Sequence, residues 1–204
     1  MHTSDLSVSS FSRFYLTKNR EDGFRVGGNP PKNVIPKWHD ENTRYFMTVP
    51  LLENLEVSLF HSFNFEQDGT RNPFDSDHVL FSEECNLIQF VLHTPSPREK
   101  DACVLKSELS GHGCDLAKVQ ESETHQGYGY HKFGGIPVFE RQDQLLNDLV
   151  EVSYKEGFQH FFQLAFPIES GDAVVSGNWP FGEMLFHVFL KYKNREFQFR
   201  YVWG

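Results

Sequence analysis

A Gly-Gly-x-Pro turn occurs twice in this chain, as Gly27-Gly28-Asn29-Pro30 and as Gly134-Gly135-Ile136-Pro137. Matching segments follow each copy in the same order. Arg44-Tyr45-Phe46-Met47-Thr48-Val49-Pro50-Leu51 resembles His160-Phe161-Phe162-Gln163-Leu164-Ala165-Phe166-Pro167-Ile168 with one residue of slack. Leu59-Phe60-His61-Ser62-Phe63 then matches Leu185-Phe186-His187-Val188-Phe189 at four of five positions. An apolar run closes each copy, Asn86 to His93 and Glu196 to Trp203. Self-similarity on this scale constrains a fold more than composition does. It predicts two related halves, about 1–100 and 101–204, fused into a single domain over 1–204. The expected class is α+β, predominantly antiparallel β, with one or two helices.

Local chemistry supports that reading. The paired glycines supply positive φ or close backbone approach, and the proline disfavours helix at the residue before it. LFHSFNF and LFHVFLKY are short, dense in aromatic and apolar residues and flanked by turn signals, as core strands are. In FQFRYVW, Phe197, Phe199, Tyr201 and Trp203 alternate with Gln198, Arg200 and Val202, the period of a half-buried antiparallel strand. Leu145, Leu146, Leu149 and Val152 fall at helical spacing between Glu140 and Glu156, with Gly157 where a C-terminal cap belongs. The opening segment, with Leu6, Phe11, Phe14 and Tyr15, is a second helix candidate. Gln67 to Ser76, His93 to Lys100 and Glu108 to Tyr130 read as loops. The Pro-Ser-Pro stretch inside the second of these is the expected boundary between the halves.

Composition narrows the class of function. The 204 residues include 21 Phe, which favours sheet, and carry a formal charge of −9. An acidic chain is poorly suited to a phosphate backbone and better suited to cationic partners. Cys85, Cys103 and Cys114 form an odd set at irregular spacing, as expected of reduced thiols rather than a disulfide framework. The first residues lack the charged leader and apolar run of a signal peptide, and no apolar stretch approaches the ~18 residues of a membrane span. The expected location is the cytoplasm, with no membrane or nucleic-acid partner.

Motifs for chemistry are sparse. Cys103, His112, Cys114, His125 and His131 are the densest potential ligands, but their spacing pairs no two on one turn, so no metal is expected. Neither G-x-S-x-G nor a P-loop is present, and Gly127-Tyr128-Gly129-Tyr130 lacks the Lys-Ser/Thr that a phosphate loop needs. No catalytic residue and no cofactor are assigned. His61 and His187 share a position in the repeated LFHxF segment and would line a groove between the halves, if one exists, near neutral pKa. Glu66, Asp68, Asp75, Asp77, Glu83 and Glu84 form an acidic run offset by Arg71 alone. Such a run is either a solvated loop or the electrostatic half of an interface.

His131-Lys132-Phe133-Gly134-Gly135-Ile136-Pro137, then Phe161-Phe162-Gln163-Leu164, then Gly182-x-x-Leu185-Phe186-x-x-Phe189 resembles the YwqG-like family, a bacterial domain of unknown function. The first half, Val26-Gly27-Gly28-Asn29-Pro30 with Trp38 and Tyr45 to Leu51, is similar to the N-terminal part of that family. The chain departs from the pattern at Met47-Thr48, where Gln is usual, and at Phe166-Pro167, where an acid often stands. The resemblance implies a fold more than a chemistry. Some bacterial proteins of this general kind sit beside secreted toxins as immunity proteins, an analogy at the level of fold. The expectation is a non-enzymatic cytosolic binding protein that occludes a cognate basic toxin, with the acidic run as its contact. The alternative is an enzyme or small-ligand binder working in a groove between the halves.

Overall fold

The computed structural model describes residues 10–17, 24–62, 88–101, 103–120, 131–135, 137–138, 144–164, 169–170, 173–177 and 185–203. Twelve strands and one helix lie among them: β1 (Ser10–Thr17), β2 (Arg25–Val26), β3 (Arg44–Leu52), β4 (Leu55–His61), β5 (Ile88–His93), β6 (His112–Gln120), β7 (Lys132–Gly134), α1 (Gln144–Lys155), β8 (Gln159–Leu164), β9 (Glu169–Ser170), β10 (Ala173–Val174), β11 (Phe186–Lys193) and β12 (Glu196–Trp203). Ten strands form one sheet in the order β12-β11-β8-β7-β1-β6-β2-β3-β4-β5, while β9 and β10 make a small separate pair. Every neighbouring pair is antiparallel.

The strand order has a centre. β1 and β6 pair along their whole length, from Ser10 against Gln120 to Thr17 against Gly113. On one side β6 abuts β2, and β3, β4 and β5 follow; on the other β1 abuts β7, and β8, β11 and β12 follow. The first strand of the chain thus joins the later four-strand group, and β6 joins the earlier one. Both glycine pairs take left-handed backbone at the ends of β2 and β7, with φ of 66° and 75° at Gly27 and Gly28 and of 71° and 70° at Gly134 and Gly135. Each four-strand group also carries a bulge one residue into its second strand's apolar run. Tyr45 opposes Phe60 and Met47 opposes Leu59, leaving Phe46 extra. His160 opposes Phe189 and Phe162 opposes Val188, leaving Phe161 extra.

Alternation sorts the side chains into an inner and an outer face. The inner face holds the main core, including Val26, Met47, Val49, Val57, Leu59, Phe162, Leu164, Phe186, Val188 and Tyr201. The sheet coils far enough for its edges to meet across this core. Phe90 of β5 stacks on Phe199 of β12 with centroids 4.6 Å apart and planes 1° apart. The outer face carries two smaller clusters. Val34 and Leu105, from loops, cover Tyr45 and Phe60 on the β2–β5 side. Phe158 and Val150, at and beside the end of α1, cover Phe189 and Val202 on the other side.

The helix ends as its sequence requires. Gly157 has φ +87°, its N–H bonds the Tyr154 carbonyl at 2.9 Å, and the Phe158 N–H reaches the Ser153 carbonyl at 2.9 Å. This is the doubly bonded glycine cap that satisfies the last helical carbonyls. Between β11 and β12, Asn194 and Arg195 both have positive φ, 55° and 67°. A two-residue hairpin turn of this hand matches strand twist.

Two expectations are corrected. The opening segment forms a strand, β1, rather than a helix. The stretch read as a loop from Glu108 to Tyr130 contains β6. β1 and β6 are central strands, and ladders on both sides supply the stability that their weak apolar patterning does not advertise. The Pro-Ser-Pro segment lies in a loop, as its sequence predicts, and is tied to β2 and the residues that follow it. Arg25 donates to the Ser96 carbonyl at 2.9 Å, Lys32 N–H to the Pro97 carbonyl at 2.8 Å and Glu99 N–H to the Pro30 carbonyl at 2.8 Å.

A methyl group added at Gly27 would press on the Ser110 and Leu109 carbonyl oxygens, whereas one at Gly157 meets nothing nearer than the Lys191 Cε at 3.8 Å. Gly27→Ala is therefore expected to lower stability by about 3 kcal/mol and Gly157→Ala by about 1 kcal/mol. Urea midpoints at unchanged slope measure both, and equal losses would contradict the close approach at Gly27.

Candidate functional site: two buried polar rungs

The outer face buries charge where a sheet would ordinarily bury hydrocarbon. Arg25 stands two residues before Gly27, in the sequence Arg25-Val26-Gly27, and Lys132 holds the same place in Lys132-Phe133-Gly134. Both are fully buried. Each begins a cross-strand rung of polar residues. Arg25 opposes Thr48, Thr48 opposes Ser58 and Ser58 opposes Val91. Lys132 opposes Gln163, Gln163 opposes His187 and His187 opposes Val202. Thr48, Ser58, Gln163 and His187 are as buried as the cations.

The first rung is a directed hydrogen-bond chain. His93 Nδ1 lies 2.8 Å from the Thr94 carbonyl oxygen, which can only accept, so the ring proton is assigned to Nδ1 and Nε2 is an acceptor. Ser58 donates to that Nε2 at 2.8 Å. Thr48 then donates to Ser58 Oγ at 2.7 Å, and the Tyr45 hydroxyl donates to Thr48 Oγ1 at 2.8 Å. Burial raises the Tyr45 phenol above its ordinary pKa, which keeps this first proton in place. Glu56, itself buried, lies 3.8 Å from His93 Nδ1 and 4.0 Å from Arg25 Nη2. A cation, a carboxylate and a neutral imidazole thus share one buried corner.

The second rung replaces hydroxyls with imidazoles. His160 occupies the place that Tyr45 has in the other group, and its ring lies 5.4 Å from Phe189, as the Tyr45 ring lies 5.7 Å from Phe60. His160 Nδ1 donates to the Gly134 and Gly135 carbonyls at 3.1 and 3.2 Å, which ties the imidazole to the glycine turn. Gln163 Oε1 accepts from the Val138 N–H at 3.0 Å. The His160 and His187 rings are 5.7 Å apart. Burial, aided by the Lys132 charge, lowers the His160 pKa to about 4. Burial, with His160 and Lys132 adding to it, holds His187 well below its ordinary value. Beside this row Arg200 of β12 bonds Glu156 at 2.7 Å and Ser153 at 3.1 Å, linking the sheet to α1.

The histidines singled out from sequence are not brought together. His61 opposes Arg44 and Ile88 and packs its ring 6.4 Å from Phe46, on the inner face. His187 points to the outer face with Lys132 and Gln163. In ladder position Ser58, not His61, answers His187, because each follows from pairing with Thr48 or Gln163. The LFHxF match is offset by three residues from this register, and an odd shift moves a side chain to the opposite face. Burial, then the Arg44 charge, lowers the His61 pKa to about 3. The acidic run Glu66, Asp68, Asp75, Asp77, Glu83 and Glu84 lies outside the described residues, as does His125. Cys103 is a half-buried free thiol, and Cys114 is buried. Among the described residues no three His, Cys, Asp or Glu side chains are grouped to hold a metal ion.

Sequence reasoning missed Arg25, Glu56, Ser58, His93, Lys132 and His160. A signal for two of them was present: a basic residue, an apolar residue and then Gly-Gly occur in both turns. The remainder depend on ladder register. No family model, curated protein or solved structure matches the chain.

Two outcomes follow from this geometry. Thr48→Val breaks the chain in its middle and should cost about 2–3 kcal/mol, whereas Thr48→Ser keeps the hydroxyl and should cost about 1 kcal/mol. Denaturant titration orders them, and equal losses would refute the hydrogen-bond chain. The second outcome is acid sensitivity. His61, His160 and His187 all have folded-state pKa values below the unfolded value near 6.5, so the unfolded chain binds more protons. Their neutral burial is fully tolerated above that value, and stability is lost as pH falls below it. Three such groups give a slope of about 4 kcal/mol per pH unit between roughly pH 6 and 4. Urea midpoints across that range measure it, and a flat profile would contradict the neutral burial.

Proposed function

We propose that this chain is a non-enzymatic recognition protein of the YwqG-like kind, acting in the cytoplasm as an immunity protein that occludes a cognate basic toxin. We further propose that its two strand groups descend from one duplicated half, with the first strand of each exchanged into the other. The shared turn conformation, the bulges at Phe46 and Phe161, and the cations at Arg25 and Lys132 support duplication.

One observation carries the recognition reading. The loops over the β2–β5 side bury Val34 and Leu105 beneath them and present their neighbours outward. Ile35 is 60% exposed, Val104 78% and Trp38 38%. Trp38 is anchored through its backbone, its N–H and carbonyl both bonded to the Gln89 side-chain amide at 3.2 and 2.7 Å. Apolar and aromatic side chains exposed on a fixed layer are what an interface core needs. Asp40, Glu41 and Asp101 are exposed on the same layer, and the Thr43 hydroxyl bonded to Asp40 lowers its pKa and keeps it ionised. Lys37 and Lys106 are exposed there too, so the charge is mixed and the apolar side chains carry the argument. The acidic run from Glu66 to Glu84 lies outside the described residues and enters this reading on its charge alone, as the electrostatic half of the interface. Among the described residues no helix is long and apolar enough to cross a membrane.

The test takes as partner the purified product of a toxin-like reading frame directly upstream of the gene, with its activity assay and surface-plasmon kinetics; the absence of such a frame beside the gene would count against the proposal. Trp38→Ala with Val104→Ser should speed dissociation at least tenfold, as expected for loss of buried anchors. Asp75→Lys, Asp77→Lys, Glu83→Lys and Glu84→Lys together should slow association at low salt. Unchanged kinetics in both sets, or binding without inhibition, would overturn the proposal.

A further inference from the structure

The two rungs occupy matching places and differ in one chemical respect. Where the β2–β5 side has Tyr45, Thr48 and Ser58, the other side has His160, Gln163 and His187. The first set cannot take up a proton in mild acid; the second can take up two. We infer that acid releases the α1 layer from the β8–β11–β12 side of the sheet while the β3–β4 side stays closed. This does not depend on the recognition reading.

Among the described residues, the groups that face the imidazole pair make its protonation unfavourable while closed. Lys132, fully buried on β7, adds a positive charge to the same rung. From β8 comes the Gln163 amide, which is neutral. From β12 comes Arg200, and the Glu156 carboxylate of the α1 end that could offset a new charge is already engaged by it at 2.7 Å. His160 Nδ1 is committed to two turn carbonyls. Above the pair lies a thin cover: the Phe158 ring, Val150 and the Tyr154 ring, whose centroid is 6.1 Å from that of Phe189. Phe189 in turn touches His160. Lifting this cover admits water to both imidazoles. The imidazole on the β2–β5 side, His93, is partly exposed on the edge strand β5; burial and the Arg25 charge lower its pKa, but a proton reaches it without the lifting of a covering layer. His61 faces the inner core, and its protonation requires opening of the main core rather than of a covering layer.

Each imidazole that is neutral when closed and free to titrate when open raises the opening constant tenfold per pH unit below about 6.5, so the pair gives up to a hundredfold. Hydrogen exchange on the full chain, read by mass spectrometry from pH 7 to pH 5 and corrected for intrinsic exchange, measures this. Peptides of α1 should show opening that rises by that factor and at a lower free energy than the β3–β4 hairpin, whose exchange follows opening of the main core. His187→Gln should reduce the rise in α1 to about tenfold per unit. If that variant does not fold, the comparison of α1 with β3–β4 in the unaltered protein decides. A level response in α1, or α1 and β3–β4 opening at the same free energy throughout, would overturn the inference.

Discussion

Two fully buried cations set the terms for the outer face of this sheet. Arg25 and Lys132 sit where each glycine turn is entered, and removing such a charge from water is costly unless polar partners surround it. Their ladder neighbours therefore cannot be hydrocarbon. Thr48 and Ser58 answer Arg25, with Glu56 nearby, and Gln163 and His187 answer Lys132. Polar rungs on a sheet face must in turn be covered, or water would compete for every hydrogen bond in them. Loops carrying Val34 and Leu105 cover one rung, and α1 with Phe158 covers the other. The layered outer surface follows from the placement of two charges.

The inner face obeys a simpler rule. Phe, Val and Leu at alternate positions face one another across the coiled sheet, and the Phe90–Phe199 stack brings its two edges together. This part of the fold was legible in the sequence, because alternation in FQFRYVW and the aromatic density of β4 and β11 report directly on burial. The glycine turns and the capped helix were legible for the same reason: positive φ and helical spacing are local properties. β1 and β6 were not. Each owes its conformation to a partner on either side, and the residues that stabilise it lie in other strands. The imidazole pair was misassigned for a related reason. A match of letters in LFHxF carries no register, and a bulge at Phe46 or Phe161 changes which residues share a face. His93, Ser58 and Glu56 come together through pairings that no local pattern encodes.

The central pairings link these failures to the architecture. β1 pairs with β7, and β6 pairs with β2, so the inner edge of each strand group is met by a strand distant in sequence. The edge of each is supplied from across the chain, and β1 and β6 then close on each other. Pairings so distant in sequence carry a large loop-closure entropy that must be met before their contacts form. The central strands thus depend on ladder geometry rather than on amphipathic pattern. In the proposed duplication this has a further effect. Residues on the inner face are held alike in both halves by one shared core, whereas each outer rung is covered by a different element. A loop layer accommodates hydroxyls held in a directed chain, and a helix with its own side chains accommodates the larger imidazoles. Divergence concentrated under the covers, with turns and bulges retained, is the pattern expected when the sheet is constrained by its partner half and the covering layers are not.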